Sequence, residues 1–408
     1  MTMIAKLCMP ALATSVIAAA FLNACGGSST KPNAIAAPAS NVQAIAVNSG
    51  PANDYVNGAF TSVKVCVPSS SNCQVIDGIL VDTGSYGLRL LSSTGGGALT
   101  LPLVNQTSSN GSPIGECAPF VSGLTWGRVA TVDITISGEK ASGIPVQVID
   151  GSFAALPSEC TRFGVPEQET LTGPNGLRAN GILGVGPLVQ DCGTPCTHTG
   201  SGNPGLYYVC AGTTCTVTTV ALAQQVQNPV AAFATDNNGV IVQLPSTSTP
   251  TSSLTGALVF GIGTQTNNAV NNVTVFPINS NIEFNTALSG QTYPAFVDSG
   301  SNAYFFLDSS KTSLPDCPDP NASFYCPGSN TSFSANISAS GGSSETVKFT
   351  IGNADSMFSD STAFVFPALG GSNPGIFDWG LPFFFGRNIY TAISGKSTPS
   401  GQGPYWAF

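Results

Sequence analysis

The chain has 408 residues and a formal net charge of −9, and only 8% of its residues are charged. This acidic balance argues against a nucleic-acid partner, which would require a basic surface. The length exceeds a single small domain and fits two domains of ordinary size. Glycine (46) and proline (29) are abundant, which is typical of an all-β protein with many turns.

The first 24 residues are typical of an export signal. Lys6 precedes a mostly apolar stretch, residues 7–22, which is short for a membrane span. The sequence Leu-Asn-Ala-Cys-Gly that follows resembles a bacterial lipobox, in which Cys25 becomes the lipidated first residue. We therefore expect an exported protein held by lipid in the cell envelope, and Gly26 favours the outer membrane, at its periplasmic or surface face. Residues 25–54 are expected to form a flexible tether. An ordinary signal peptide cleaved nearby is the alternative.

Ten cysteines follow Cys25, and this even number indicates about five disulfides in an exported chain. Two pairs are predicted across short turns, Cys66–Cys73 and Cys317–Cys326, and Cys117–Cys160 is the remaining bridge of the first half. The other four lie in a Cys-rich insert, residues 191–215, and should bond among themselves: Cys192, Cys196, Cys210 and Cys215. A metal site formed by these residues and His198 is the alternative, but the spacing fits a zinc module poorly. We predict no metal and no cofactor.

Short apolar runs that alternate with polar residues fill the rest of the chain, which predicts antiparallel strands. Examples are residues 74–81, 132–136, 144–148, 239–244, 257–260, 273–276, 347–351 and 363–366. Helix is expected only around Val217–Gln227. The Ser/Thr-rich residues 246–254 have the composition of a linker. We therefore predict two β lobes, residues 55–245 and 246–408.

An internal repeat links the two predicted lobes. Residues 79–85 read Ile-Leu-Val-Asp-Thr-Gly-Ser, and residues 295–301 read Ala-Phe-Val-Asp-Ser-Gly-Ser. Each copy is an apolar strand that ends in an aspartate, and the copies are separated by about the length of one lobe. A single Asp-Thr-Gly is usually a turn, but two copies in this context predict a paired site formed by Asp82 and Asp298.

The residue types in the repeat suit acid–base chemistry. Gly84 and Gly300 let the backbone turn tightly, and the hydroxyls of Ser85 and Ser301 can orient the carboxylates. Two adjacent carboxyl groups share one proton, because like charges raise one pKa. One group can then take a proton from water while the other protonates a carbonyl oxygen. Thr83 and Ser299 are expected to lock the two loops together.

On these motifs the chain resembles the pepsin-like, bilobal aspartic proteases over about residues 55–408. Three further segments match family strands: residues 180–186, 256–261 and 379–387. The chain also resembles a bacterial lipoprotein family of unknown function that carries these motifs. The first resemblance implies an all-β, bilobal fold and an aspartic endopeptidase that is monomeric and cleaves polypeptides, with Asp82 and Asp298 as the catalytic pair.

The chain departs from the protease pattern at the flap, the hairpin that covers the cleft in that family. Trp126 and Gly127 lie where the flap is expected, with Trp126 in place of the usual Tyr. Arg89 replaces a Trp that often partners this Tyr, so we expect a cation–π pair. The alternative for Trp126 is an aromatic of the core or the surface. The altered flap also keeps open an inactive protein of the same fold that serves as a binding, inhibitor or structural module.

Overall fold

The alternation of apolar and polar residues becomes strands along most of the chain in a computed structural model that describes residues 34–408. The all-β fold class is therefore confirmed. The predicted signal peptide and Cys25 lie outside the described residues. Eleven strands precede residue 245: β1 Val42–Asn48, β2 Gly58–Cys66, β3 Cys73–Asp82, β4 Tyr86–Leu91, β5 Ile114–Pro119, β6 Leu124–Ile136, β7 Glu139–Ile149, β8 Gly181–Val185, β9 Tyr207–Ala211, β10 Thr214–Val217 and β11 Gly239–Gln243.

The second half of the chain is also built from strands. They are β12 Leu254–Phe260, β13 Val275–Pro277, β14 Phe284–Leu288, β15 Gln291–Val297, β16 Tyr304–Leu307, β17 Thr331–Ser338, β18 Ser344–Ile351, β19 Gly370–Gly371, β20 Asn373–Trp379, β21 Asn388–Ala392, β22 Ser397–Thr398, β23 Gly401–Gln402 and β24 Tyr405–Ala407.

Helices in the described residues are short. The α-helices are α1 Ser158–Thr161, α2 Ser309–Thr312 and α3 Ala354–Phe358, and the 3-10 helices are Ser93–Gly95, Thr194–Thr197, Leu222–Gln224, Pro229–Ala232, Thr266–Asn268 and Leu381–Phe384. None of the helices within residues 34–408 is long and apolar enough to cross a membrane. The helix predicted around Val217–Gln227 is wrong, because this stretch ends β10 and then forms one 3-10 turn. Its β-branched start, Val-Thr-Thr-Val, disfavours helix.

The strands form two sheets with related local topology. The large sheet has the order β10-β9-β5-β6-β7-β4-β8-β3-β2-β1-β12-β11-β21-β24-β13, the second has the order β18-β17-β14-β15-β20-β16-β19, and β22 and β23 form a short ribbon. In the first half, β8 runs parallel to β3 and antiparallel to β4. In the second half, β20 runs parallel to β15 and antiparallel to β16. This shared arrangement agrees with the predicted bilobal fold.

The large sheet continues through the predicted lobe boundary at residues 245/246. Strand β11 precedes this boundary and β12 follows it, and the two strands pair with each other. Strand β1 also joins β12 on one side and β2 on the other. Residues 34–408 accordingly form one compact unit.

The flexible tether predicted for residues 25–54 is wrong for residues 42–48, which form β1. Ile45 and Val47 are 1% and 0% exposed and pack in the main hydrophobic core. Ala46 between them is half-buried, and Ala44, on the same side of the strand as Ala46, is exposed. The segment therefore has the period-two pattern of a half-buried strand, which its small and polar flanking residues obscure.

Ile45→Ala tests whether β1 belongs to the core. Because Ile45 is fully buried, the substitution should lower the free energy of unfolding by about 2–5 kcal/mol. Urea unfolding measures the change. Ala44→Ser, at the exposed neighbouring position, is the control and should change it by less than about 0.5 kcal/mol. If both variants were as stable as the wild type, residues 42–48 would not belong to the core, and the predicted tether would be correct for them.

Candidate active site

Asp82 and Asp298 lie at the ends of equivalent strands in the two halves. Asp82 is the last residue of β3, and its register partner on β8 is Gly184. Asp298 directly follows β15, and its backbone N–H donates to the carbonyl of Trp379 at 3.1 Å. Both strands run parallel to a neighbour, so each aspartate lies where two adjacent strands end at the same edge.

Each carboxylate is held by its own loop in the same way. In the first loop, the Gly84 N–H donates to Asp82 Oδ1 at 2.7 Å, and the Ser85 hydroxyl donates to Oδ2 at 2.5 Å. The second loop repeats this geometry around Asp298, with distances of 2.7 Å from Gly300 N and 2.8 Å from Ser301 Oγ. Two donors therefore fix the plane of each carboxyl group.

The two glycines let the loops approach each other closely. A Cβ added to Gly84 would lie 2.6 Å from the carboxyl carbon of Asp298, and one added to Gly300 would lie 2.7 Å from that of Asp82. Any side chain at either position would collide with the opposite aspartate. The structure thus brings Asp82 and Asp298 together.

Thr83 and Ser299 exchange hydrogen bonds across the interface. The Thr83 N–H donates to Ser299 Oγ at 3.1 Å, and the Ser299 N–H donates to Thr83 Oγ1 at 3.0 Å. Each hydroxyl then donates to a carbonyl of the opposite strand, Val297 at 3.2 Å and Val81 at 2.8 Å. Both side chains are fully buried. These four bonds hold the two loops in register.

Burial and mutual repulsion make the site hold protons. Burial raises the pKa of Asp298 well above its usual range, and the charge of Asp82 raises it further. Two tyrosines that the sequence did not single out flank the pair, Tyr55 and Tyr86. Burial raises the pKa of both, and the charges of Asp82 and Asp298 add to it. Both phenols are therefore neutral hydrogen-bond donors next to the carboxyl pair.

A small cavity opens beside the pair. It has a volume of about 290 Å³ and is lined by Thr83, Gly84, Tyr86, Asn281, Ile282, Glu283, Phe296, Ile376 and Trp406. Most of these side chains are apolar or aromatic, and Glu283 provides an acidic group. Residues of both halves contribute, so the cavity exists only in the assembled molecule.

Trp126 does not form a flap over the site, and this prediction is wrong. The hairpin of β5 and β6 turns at residues 120–123, and Val121 at its tip is 90% exposed. Trp126 lies on β6 beyond this turn and is 0% exposed. Its indole N–H donates to the Ala154 carbonyl at 2.8 Å, and its ring packs edge-on against Tyr208. Trp126 is therefore an aromatic residue of the core, which was the alternative to the flap. Gly127 lies in the same strand, where a Cβ would meet the Val148 carbonyl oxygen at 1.9 Å.

Arg89 is buried but does not pair with Trp126. Its guanidinium contacts Glu116 Oε1 at 2.6 Å and Asp191 Oδ2 at 3.2 Å, and it lies over the ring of Phe120 at 5.6 Å. The cation–π partner is thus Phe120, which begins the turn of the hairpin. Burial raises the pKa of Asp191, and Glu116 raises it further. This charged cluster ties the β5–β6 hairpin to β4 and to the Cys-rich insert.

The described structure has five disulfides, and one of them holds the hairpin. The structure has the pairs expected from the sequence, Cys66–Cys73, Cys117–Cys160 and Cys317–Cys326. In the insert, Cys192 bonds to Cys196 and Cys210 bonds to Cys215, so these sulfurs are not free to bind metal with His198. Cys117 lies on β5, which pairs with β9 of the insert on its outer side. The hairpin is therefore held by one disulfide and by its pairing with β9.

Sequence reasoning also missed Asp378. This residue lies on β20 and is 4% exposed, and its charge raises the pKa of Asp298. In the sequence it interrupts the apolar segment Ile-Phe-Asp-Trp-Gly. A comparison of the two halves could have revealed it, because the matching segment of the first half, Gly-Ile-Leu-Gly, has no acidic residue.

The comparisons with known proteins identify a family and find a similar solved structure. The family model described as "Protein of unknown function (DUF3443)" matches residues 37–408. No curated protein matches the chain in sequence. Among solved structures, the chain is similar to the aspartic proteinase from Irpex lacteus, with 15% sequence identity and a TM-score of 0.49. The match covers 90% of this chain and 96% of the other.

Thr83→Val tests the bonds that join the two loops. The variant keeps the shape of the side chain but leaves the buried Ser299 N–H without an acceptor. It should lower the free energy of unfolding by about 1–3 kcal/mol, as measured by urea unfolding. Thr172→Val, at an exposed position, is the matched control and should stay within about 0.5 kcal/mol of the wild type. A Thr83→Val variant as stable as this control would contradict the described role.

Trp126→Ala tests the assignment of this residue to the core. Removing a fully buried indole should lower the free energy of unfolding by about 3–5 kcal/mol, measured by thermal and urea unfolding. Val121→Ser at the exposed turn should change it by less than about 0.5 kcal/mol. If Trp126→Ala left stability intact, the side chain would not be part of the core and the flap prediction would stand again.

Proposed function

We propose that this chain, which belongs to the DUF3443 family, is an aspartic-type endopeptidase that hydrolyses polypeptides. The observation that carries the proposal is the duplicated loop. Asp82 and Asp298 are each held by a glycine N–H and a serine hydroxyl, and they face each other with no side chain between them. Paired carboxyl groups that share a proton supply both an acid and a base.

The proposed mechanism assigns one role to each aspartate. Asp298 holds the shared proton, which agrees with the raised pKa of this buried group. Asp82 acts as the base: it takes a proton from a water molecule as the water oxygen attacks the peptide carbonyl carbon. Asp298 at the same time protonates the carbonyl oxygen. In the second step Asp82 gives its proton to the amide nitrogen, Asp298 takes a proton from one hydroxyl of the tetrahedral diol, and the C–N bond breaks to leave an amine and a carboxylic acid. The two carboxyl groups then again hold one proton between them.

The surroundings of the pair suit a peptide substrate. The adjoining cavity has apolar walls that can bury a side chain next to the scissile bond, and Glu283 can meet a basic group. We further propose that the enzyme acts as a monomer in the cell envelope, anchored through Cys25. Five disulfides support an oxidising, exported location.

The restrained hairpin favours a second candidate, a binding module on the same fold. In the described structure, β5 is tied by Cys117–Cys160, by pairing with β9, and by the buried Arg89–Glu116 ion pair. A hairpin held in this way cannot swing far to admit and release a long substrate. Such a rigid cleft would suit a protein that binds a peptide without cleaving it.

Asp82→Asn and Asp298→Asn separate the two candidates. Each variant replaces one carboxyl with an amide of the same size that cannot transfer a proton, so cleavage should fall by about 10²–10⁴-fold. The wild-type rate should follow a bell in pH, because the dyad works only with one proton. Cleavage of a broad peptide library between pH 3 and 7, read by mass spectrometry, measures both effects.

The stability of Asp298→Asn is the control for folding. A carboxyl whose pKa is raised in the folded state stabilises the protein most below the pKa of the unfolded chain, and this contribution is lost as the pH rises. The variant should therefore be no less stable than the wild type at pH 7. If the wild type cleaves no peptide in this range and a statine-type inhibitor does not raise its melting temperature, the endopeptidase proposal fails.

A further inference from the structure

The cavity beside the carboxyl pair adjoins both aspartates. Thr83 and Gly84, which line it, directly follow Asp82 in the chain. Phe296, which also lines it, lies two residues before Asp298. The volume of about 290 Å³ is just below the usual range of ligand pockets, about 300–1,000 Å³. The cavity therefore has room for one side chain of a bound peptide rather than for a whole small-molecule ligand.

The walls of the cavity are mostly apolar, and one of its lining groups is acidic. The apolar walls come from Ile282, Phe296, Ile376 and Trp406. Glu283 is half-buried and lies directly before β14. A pocket with apolar walls and a carboxylate suits a long side chain that has methylene groups along its length and a charge at its end.

Glu283 has no counter-charge in the described part of the chain. None of the ion pairs among residues 34–408 includes it, and no lysine, arginine or histidine lines the cavity. The one hydrogen bond to its carboxylate there is long, 3.4 Å from Asn279 Nδ2 to Oε2. A carboxylate that is partly removed from water without a partner favours binding of a cation from outside the protein.

The turn before β14 holds Glu283 in place. Asn279 Oδ1 accepts hydrogen bonds from the N–H groups of Asn281 at 2.8 Å and Glu283 at 3.0 Å. Ile282 between them has a φ of 62°, in the left-handed region that β-branched residues rarely adopt. Backbone of this kind persists only where its surroundings fix it. The position of the carboxylate is therefore set before a ligand binds.

A second polar group of the cavity wall also lacks a partner. Trp406 is 1% exposed, and its indole N–H is buried without an acceptor in the described structure. Its ring packs edge-on against Phe284, the residue after Glu283, with the centroids 5.6 Å apart. A buried N–H without an acceptor is unfavourable unless a bound molecule supplies one, and the backbone carbonyl groups of a peptide are acceptors.

We propose that this cavity is a subsite for a basic side chain, arginine or lysine, next to the scissile bond, and that Glu283 determines this specificity. The inference rests on the proposed function for cleavage of the bond, whereas the preference in binding does not depend on cleavage. The methylene groups of the substrate side chain pack on the apolar walls, and its cationic end forms a charge-assisted hydrogen bond with Glu283. The negative charge of the singly protonated dyad adds to the attraction.

The same arrangement disfavours other side chains. An acidic side chain is repelled by Glu283 and by the dyad. An apolar side chain of the same length contacts the walls equally well, but it covers the carboxylate without pairing with it. A site that is built to pair with a polar group discriminates strongly against an analogue that lacks this group. The substrates are therefore expected to be polypeptides with a basic residue beside the cleaved bond.

The first test compares arginine with citrulline, which has nearly the same shape but no charge. Peptides from a library that the wild type cleaves at pH 6 are sequenced by mass spectrometry, and arginine or lysine should be enriched next to the cleaved bond. The most frequent sequence is then synthesised with arginine or citrulline at this position, with both termini capped to remove their charges. The wild type should cleave the arginine peptide with a kcat/KM about five- to tenfold higher.

Variants of Glu283 test the residue itself. Glu283→Gln should bring the arginine-to-citrulline ratio close to one, and Glu283→Lys should prefer a glutamate peptide to its glutamine counterpart. Glu345→Gln is the matched control, because Glu345 on β18 is also half-buried but does not line the cavity. This control should keep the ratio of the wild type. A ratio that Glu283→Gln leaves unchanged would overturn the assignment, and melting temperatures show which variants are folded. If neither Glu283 variant folds, the ratio of the wild type decides.

The outcomes separate this inference from the proposed function. A wild type that cleaves peptides but treats arginine and citrulline alike would overturn the inference and leave the endopeptidase intact. If the wild type cleaves nothing, the endopeptidase proposal fails, and calorimetry with capped Ala-Ala-Phe-Arg-Phe-Ala-Ala and its citrulline analogue then decides. Tighter binding of the arginine peptide by about five- to tenfold would support the subsite. Equal affinities, or no binding of either peptide, would overturn it.

Discussion

The exchange of hydrogen bonds between Thr83 and Ser299 is the constraint on which the rest of the site depends. It joins two strand ends that are 216 residues apart in the sequence. Because each hydroxyl accepts from one loop and donates to the opposite strand, neither loop can shift without breaking two bonds. The close approach of Asp82 and Asp298 follows from this lock, and the two glycines only make room for it.

The sequence alone was sufficient to predict those site residues that are close together in the chain. Asp82, Gly84 and Ser85 form one turn, and their counterparts form another, so a repeated motif reveals both. The all-β class follows from the period-two alternation of apolar residues for the same reason. Asp378 could not be found in this way, because it reaches the site through the register of β20 against β15. A single polar residue in an apolar strand carries no information about the loop beside it.

The errors at Trp126 and at residues 42–48 have physical causes as well. Its position in the chain suggested that Trp126 lies at the tip of the hairpin, but the turn lies at residues 120–123. Trp126 is on the strand beyond the turn, where alternate side chains face the core. Glycine, proline and alanine around β1 give this segment the composition of a linker. Its place between β2 and β12 is determined by partners that are distant in sequence.

The lock between the two halves also sets the order of events in biogenesis. A chain that has folded only its first half contains Asp82 without its partner, and no arrangement of that half can supply the missing acid. The chemistry we propose can therefore arise only after β15 has brought Asp298 to Asp82. Under the proposed function, a site divided between two halves of the polypeptide leaves a partly folded copy without activity.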